Sequence, residues 1–226
     1  MLETRALAEE QMDALDLNAE TYALILRDLA RVNTLTRSRR LTLAFLREAQ
    51  ARAGGRRLRI LDVGFGDGDM LRAIARSGID ADLAGIDLNP RSAAIASAAT
   101  PASLSIIYQT GDYVDLAGEG WDVVISSLVA HHMTHDQLIA FLRFMDADAR
   151  IGWFVSDLHR HGFAWTSFPL LARLMGWHRI VREDGTLSIA RSYRPAEWPP
   201  ILHEAQVNGA EVVRRFPFRL CVQKLR

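Results

Sequence analysis

Along the first fifty residues apolar side chains return with a helical period. Tyr22, Ile25, Leu29 and Val32 fall at i, i+3, i+7 and i+10 and make one stripe. Asn18 is placed to cap that helix, with Glu20 in its first turn. A second helix over residues 37–53 is stopped by Gly54-Gly55. At Leu58 the pattern changes. Residues 58–63 read as a short apolar strand with a glycine-rich exit, and Asp67 is placed to cap the helix after it. Met70, Leu71, Ile74 and Ala75 form that helix's inner face, and Gly78 ends it. Residues 81–86 make a second strand ending at Asp87. Asn89-Pro90 then offers a cap and a first-turn proline for an alanine-rich helix running to about Ala99. Residues 104–109 read as a third strand. Residues 121–128 read as a fourth, almost continuously apolar, as a strand buried on both faces is. Thr134-His135-Asp136-Gln137 is a capping box opening a helix with Leu138, Phe141, Leu142 and Met145 inside. Residues 149–155 make a fifth strand. Strand and helix alternating over about a hundred residues predict a parallel sheet with helices on both faces.

From Ser156 to Trp198 the alternation stops, and Phe163, Trp165, Phe168, Trp177 and Tyr193 collect there. Pro195 starts a last helix. Residues 211–216 and 218–223 read as two strands meeting at a tight turn around Pro217. No repeat or low-complexity tract interrupts the chain.

Composition narrows the function. The 226 residues suit one α/β domain with appendages, and 49% hydrophobic against 24% charged residues allow a sizeable core. Lys plus Arg and Asp plus Glu both number 27, which argues against a nucleic-acid partner. The basic clusters at residues 37–40 and 52–59 read as solvated helix ends. The single cysteine, Cys221, excludes an internal disulfide framework and an iron–sulfur cluster held by the chain's own thiolates. No secretory signal is read at the start. The longest apolar stretch, residues 163–177, is broken by Pro169 and Arg173 and is too short to span a bilayer. A cytoplasmic protein is expected.

The chemistry concentrates in Asp62-Val63-Gly64-Phe65-Gly66-Asp67-Gly68, where a strand becomes a helix. Alternating glycines let the backbone turn sharply and approach a ligand. A dinucleotide fingerprint places its third glycine three residues after the second, where Asp69 stands here. Asp67 and Asp69 would repel a pyrophosphate at the helix start. No Lys-Ser/Thr pair follows, which excludes a Walker loop. A ligand carrying an ammonium and a sulfonium suits the loop better. One strand and one helix later, Asp87 is placed to accept from a ribose diol.

These residues, followed by Gly111-Asp112 and by the strand Asp122-Val123-Val124-Ile125-Ser126-Ser127, resemble the motif series of class I S-adenosylmethionine-dependent methyltransferases over residues 58–154. The resemblance implies an α/β, Rossmann-like doubly wound sheet of about seven strands, mostly parallel with an antiparallel last strand. It implies S-adenosylmethionine as cofactor and S-adenosylhomocysteine as product. By position, Gly64, Phe65 and Gly66, with Gly68 completing the loop, would pass under the cofactor's amino-acid part. Asp62 would lie near its ammonium and Asp87 on its ribose, with Leu88 beside the adenine. Asp112 would accept from the adenine amino group with Tyr113 packed nearby, and Ser127 and Leu128 would face the methionine moiety. More loosely, Ser156-Asp157-Leu158, Asp184-Gly185-Thr186-Leu187-Ser188, Pro195-Ala196-Glu197 and residues 214–219 are similar to small bacterial methyltransferases of polyketide and phenolic-lipid pathways. Arg194, where a capping Ser or Thr is usual, departs from that pattern.

Methyl transfer from a sulfonium is an in-line displacement that gains most from positioning. A phenol acceptor, with a pKa near ~10, also gains from a base. His131 and His132 follow the fourth strand, beyond whose end ligands of such sheets bind, and either is a candidate base or a pocket wall. Asp157, His159 and His161 form a second polar cluster, but magnesium wants oxygen ligands and no metal site is expected. The chain is thus read as one domain over 1–226. A helical cap covers 1–55, a cofactor core 58–157, a lid over an acceptor site 158–200, and a helix end with a strand pair 201–226. The expected partner is a small-molecule acceptor, most readily the hydroxyl of a phenolic or polyketide-type metabolite, with the chain a monomer or homodimer. Carbon or nitrogen methylation, a cofactor-binding protein without turnover, and a nicotinamide-dependent oxidoreductase stay open as alternatives. Ser126-Ser127-Leu128-Val129, in place of an Asn-Pro-Pro-Tyr-type motif, argues against RNA or protein methylation.

Overall fold

The computed structural model describes residues 2–13, 18–35 and 38–226. Two helices, α1 (Ala19–Leu35) and α2 (Ser38–Arg52), precede β1 (Leu58–Val63). Then follow α3 (Asp69–Ala75), β2 (Ala81–Asp87), α4 (Ser92–Ala99), β3 (Ile106–Thr110) and β4 (Val123–Ser127). After α5 (His135–Asp148) and β5 (Gly152–Leu158) come three helices, α6 (Gly162–Leu174), α7 (Arg179–Arg191) and α8 (Trp198–Glu204). Strands β6 (Glu211–Arg215) and β7 (Arg219–Leu225) close the chain.

The seven strands form one sheet in the order β3-β2-β1-β4-β5-β7-β6. Pairing is parallel from β3 through β5, and β7 inserts antiparallel between β5 and β6. Period-two alternation sends successive residues to opposite faces. Leu58 and Ile60 of β1, with Ile125 and Phe154, meet Phe45 of α2 and Leu71 and Ile74 of α3. Leu61, Val63, Val124 and Trp153 face the other way, onto Leu142 and Met145 of α5 and Ile201 of α8. A third cluster ties Ile25 of α1 to Ala172 of α6 and to Ile180 and Val181 of α7. Met12, Leu29, Val32 and Phe168 pack against that cluster.

Local signals explain most boundaries. Asn18 Oδ1 accepts from the Thr21 amide at 2.8 Å and starts α1. Thr134 and Gln137 make both hydrogen bonds of the capping box that opens α5. Arg37, the expected first residue of the second helix and of one basic cluster, lies outside the described residues.

Several expectations are corrected. Asp67 does not cap α3: Gly68 occupies that position, and Asp67 Oδ1 accepts from the Asp69 amide one residue early. Asn89-Pro90 forms a turn, with Asn89 Oδ1 accepting from Arg91, and α4 begins only at Ser92. The fifth strand starts at Gly152, three residues later than the apolar run, because Ala149 still closes α5 on Met145 O. Gly152 faces the Lys224 carbonyl so closely that a Cβ would overlap it. The charged segment 179–191, which carries no apolar alternation, is a full helix.

Candidate active site

Two cavities meet beyond the carboxyl ends of β1, β2 and β4. The first, about 400 Å³, is lined by Gly64, Phe65, Gly66, Asp87, Leu88, Tyr113, Ser127, Leu128 and His132 among the residues singled out in the sequence. The glycine loop is shaped for contact. Gly64, with φ +75°, has a Cβ position that overlaps Val129, whereas at Gly66, φ +57°, a Cβ meets no atom within 4 Å and would project into open space. Gly68 serves packing instead, since a Cβ there would meet the Tyr108 hydroxyl at 2.5 Å.

Asp87 ties the loop to the neighbouring strand. Its Oδ2 accepts from the Gly66 amide at 2.9 Å and its Oδ1 from the Asn89 amide at 2.8 Å. Asp62 is buried within β1, behind the cavity rather than on its wall. Burial, and then the neighbouring Asp87 and Asp69, push its carboxyl up to about 8. Asp112 caps the short turn 113–116 by accepting from Val114 at 3.2 Å and flanks the lining residues Gly111 and Tyr113. Leu128 stands between the two cavities with φ +63°, a conformation that costs an L-residue about 1–2 kcal/mol and is held by its amide donating to Ser156 O at 2.9 Å.

The second cavity, about 310 Å³, shares Leu128, His132, Met12, Leu29 and Asn33 with the first. Phe168 and Leu171 of α6, Ile189 of α7, Pro217 and Phe218 make it largely apolar. Its polar lining residues are Glu10, Asn33, His131, His132, His159, Ser167, Ser188 and Arg219. His131 is almost fully buried. Its backbone amide donates to Asp157 Oδ2 at 2.9 Å, and its Nδ1 lies 2.7 Å from Asp157 Oδ1. Burial opposes charge on this imidazole, but Asp157 and Glu10 outweigh it and lift His131 to about 9. Glu10 accepts from Ser188 Oγ at 2.7 Å and lies 3.5 Å from His131 Nε2 and 3.8 Å from His132 Nε2. His159 shares the second cavity, while His161 stacks on Phe218 away from the histidine pair.

Glu10, Met12, Asn33 and Arg219 were not legible as site residues. Glu10 and Met12 lie in a segment without periodicity, which Asp184 of α7 holds in place by accepting from the Gln11 and Met12 amides at 3.0 and 2.8 Å.

Residues 60–152 match a family described as a methyltransferase domain. A search of curated proteins finds no match. Among solved structures, the chain is similar to the plantazolicin methyltransferase BpumL in complex with SAH and a pentazolic desmethylPZN analog. That pair shares 14% identity over 92% of this chain and 91% of the other, with a TM-score of 0.71. It is also similar to a magnesium protoporphyrin IX methyltransferase from Synechocystis PCC 6803 with bound SAH, at 18% identity over 94% and 90% of the two chains and a TM-score of 0.60. A methyltransferase domain thus spans residues 60–152, set in a seven-stranded sheet with an antiparallel β7, and the whole fold is similar to that of these two solved methyltransferases.

Proposed function

We propose that this chain is a class I, S-adenosylmethionine-dependent methyltransferase and delivers the methyl group to the hydroxyl oxygen of a small, flat acceptor of phenolic or polyketide type. The observation that carries the reading is the junction of the two cavities at Leu128 and His132. The first cavity suits the cofactor. Gly66 leaves room at the loop, Asp87 stands where it can accept from a ribose diol, and Asp67 on the cavity wall favours a cationic ligand over a phosphate. S-adenosylmethionine brings an electrophilic methyl group on a sulfonium. The second cavity, walled by Phe168, Leu171 and Phe218, suits an aromatic acceptor.

In this reading Phe65, Leu88 and Tyr113 bind and orient the donor, and the helices α6 and α7 act as a lid that excludes water. As the new bond to carbon forms and the bond to sulfur breaks, the hydroxyl proton passes to the histidine pair, in the simplest form to His132, since His131, raised to about 9, already holds its proton at neutral pH. Residues 1–55 cap the donor site, residues 58–157 form the donor-binding core, residues 158–200 form the lid and residues 201–226 complete the sheet. The enzyme works in the cytoplasm on a free small molecule, as a monomer or homodimer. No described helix is long and apolar enough to cross a membrane.

The test is transfer of label from S-adenosylmethionine to a panel of phenols, alkylresorcinols and polyketide-type aromatics. An O-methylated product, with turnover lowered at least about 100-fold in His131→Ala or His132→Ala, is expected. Methylation at carbon or nitrogen only, or full turnover in both variants, would overturn the hydroxyl-and-histidine assignment.

A further inference from the structure

We infer that Glu10, His131 and His132 form a binding site for a first-row divalent transition cation, zinc or a chemical neighbour of it, where the two cavities meet. A carboxylate oxygen of Glu10 and one ring nitrogen from each histidine all lie within 4.8 Å of one another. His131 Nε2 lies 3.5 Å from Glu10 Oε1 and His132 Nε2 lies 3.8 Å from Glu10 Oε2, each close to the ligand spacing such a cation requires. Ligands held at about 2.0–2.2 Å in a tetrahedral shell stand about 3.4 Å apart.

The surroundings match the chemistry of a ligand set. His131 Nδ1 lies 2.7 Å from Asp157 Oδ1, and Nε2 is the nitrogen that His131 turns toward Glu10. An imidazole whose far nitrogen is fixed on a carboxylate is how metal-binding histidines are oriented. Ser188 Oγ fixes Glu10 in the same manner. Arg191 then locks the two halves together. Its Nε donates to His131 O and its Nη2 to His132 O, both at 3.2 Å, while its Nη1 donates to Ala8 O at 2.6 Å, two residues before Glu10. The three ligands come from two separate chain segments, yet their backbones are clamped by one side chain.

Two nitrogens and one oxygen favour zinc, cobalt, iron or nickel over magnesium or calcium. Three protein ligands leave coordination positions open, and both cavities border the cluster. The inference deepens the proposed function and rests on it for the ion's role. When bound, the ion would be held by Glu10, His131 and His132 and would supply Lewis acidity that makes a neighbouring acceptor hydroxyl easier to deprotonate. With the ion bound, the histidines would be its ligands and the hydroxyl proton would pass to water; without the ion, the direct transfer to an imidazole stands.

The experiment titrates tag-free, chelator-stripped protein with Co²⁺, followed by visible absorption, and then with competing Zn²⁺. Calorimetry with S-adenosylhomocysteine runs alongside. The expected result is one equivalent of cobalt with d–d bands, displaced by zinc. Affinity should fall more than about 100-fold in Glu10→Gln and in His132→Ala. His159→Ala, in the same cavity but outside the cluster, should bind cobalt like the wild type. His132 is partly exposed, so its variant keeps the test open where Glu10→Gln disturbs folding. Wild-type protein that binds S-adenosylhomocysteine but shows no cobalt bands overturns the cation site and leaves the histidine reading standing. Cobalt binding that survives both substitutions also overturns it. Cobalt binding lost in both variants, in protein that fails to bind S-adenosylhomocysteine, supports the site and overturns the donor reading instead.

Discussion

His131 grips Asp157 through two contacts at once, its backbone amide on one carboxylate oxygen at 2.9 Å and its Nδ1 on the other at 2.7 Å. The pair joins the turn after β4 to the end of β5, and both partners are almost fully buried. A buried pair that loses one member leaves an uncompensated charge, which costs about 3–5 kcal/mol.

This pair sets a pH window for the cation-free protein. Burial works against ionised Asp157, but His131 and the backbone amides of His131 and Leu158 prevail and hold its carboxyl below the usual range. Its contribution is therefore present above an unfolded pKa near ~4 and lost as pH falls through the lower folded value. His131 is raised to about 9, so its contribution is complete below ~6.5 and lost as pH rises through about 9. The melting temperature should fall between pH 7 and pH 9.5, and His131→Gln should remove most of that fall while costing about 3–5 kcal/mol at pH 7. A wild-type melting temperature that is flat over this range would contradict the pairing.

Asp62 should behave in the opposite sense to Asp157 and in the same sense as His131. Its carboxyl is raised to about 8, so the unfolded chain ionises first and stability declines as pH climbs from ~4 toward that value. Asp62→Asn should raise the melting temperature of the ligand-free protein at pH 8, with a gain that shrinks toward pH 4. A ligand ammonium favours the ionised carboxylate, so S-adenosylhomocysteine binding at pH 7 should release a proton. The calorimetric enthalpy should then vary with buffer ionisation heat in the wild type and not in the variant.

Gly185 lies in the middle of α7 where Phe168 of α6 presses on the backbone, and a Cβ there would overlap the ring. Gly185→Ala should cost about 1–3 kcal/mol through this overpacking, despite alanine's better helix propensity. Adding Phe168→Leu should recover part of the loss, and a double-mutant cycle reads the coupling. An additive cycle would mean that the ring is not what keeps position 185 a glycine.

The sheet and the glycine loop were legible because their signals are local. The glycine spacing, Asp87 at a strand end and the Thr134–Gln137 box each act within a few residues. What was not legible depends on partners far along the chain. Helix α7 has few apolar positions, and it forms against Phe168 and through Asp184, which anchors residues 11 and 12. Glu10 reaches the histidines only because Ser188 and Arg191, more than 170 residues away, hold its segment. Arg194 breaks the expected capping pattern, yet its amide donates to Glu197 Oε2 at 2.6 Å, so the turn is closed from the other side.

The most direct test of the donor site is calorimetric titration of S-adenosylhomocysteine into the wild type and Asp87→Ala, with folding of both verified by circular dichroism. Micromolar binding by the wild type is predicted. A ribose diol gives Asp87 two charge-assisted hydrogen bonds of about 1.5 kcal/mol each, so the variant should bind about 100-fold more weakly. No binding to folded wild-type protein, or equal binding by the variant, would contradict the assignment of this cavity to the methyl donor.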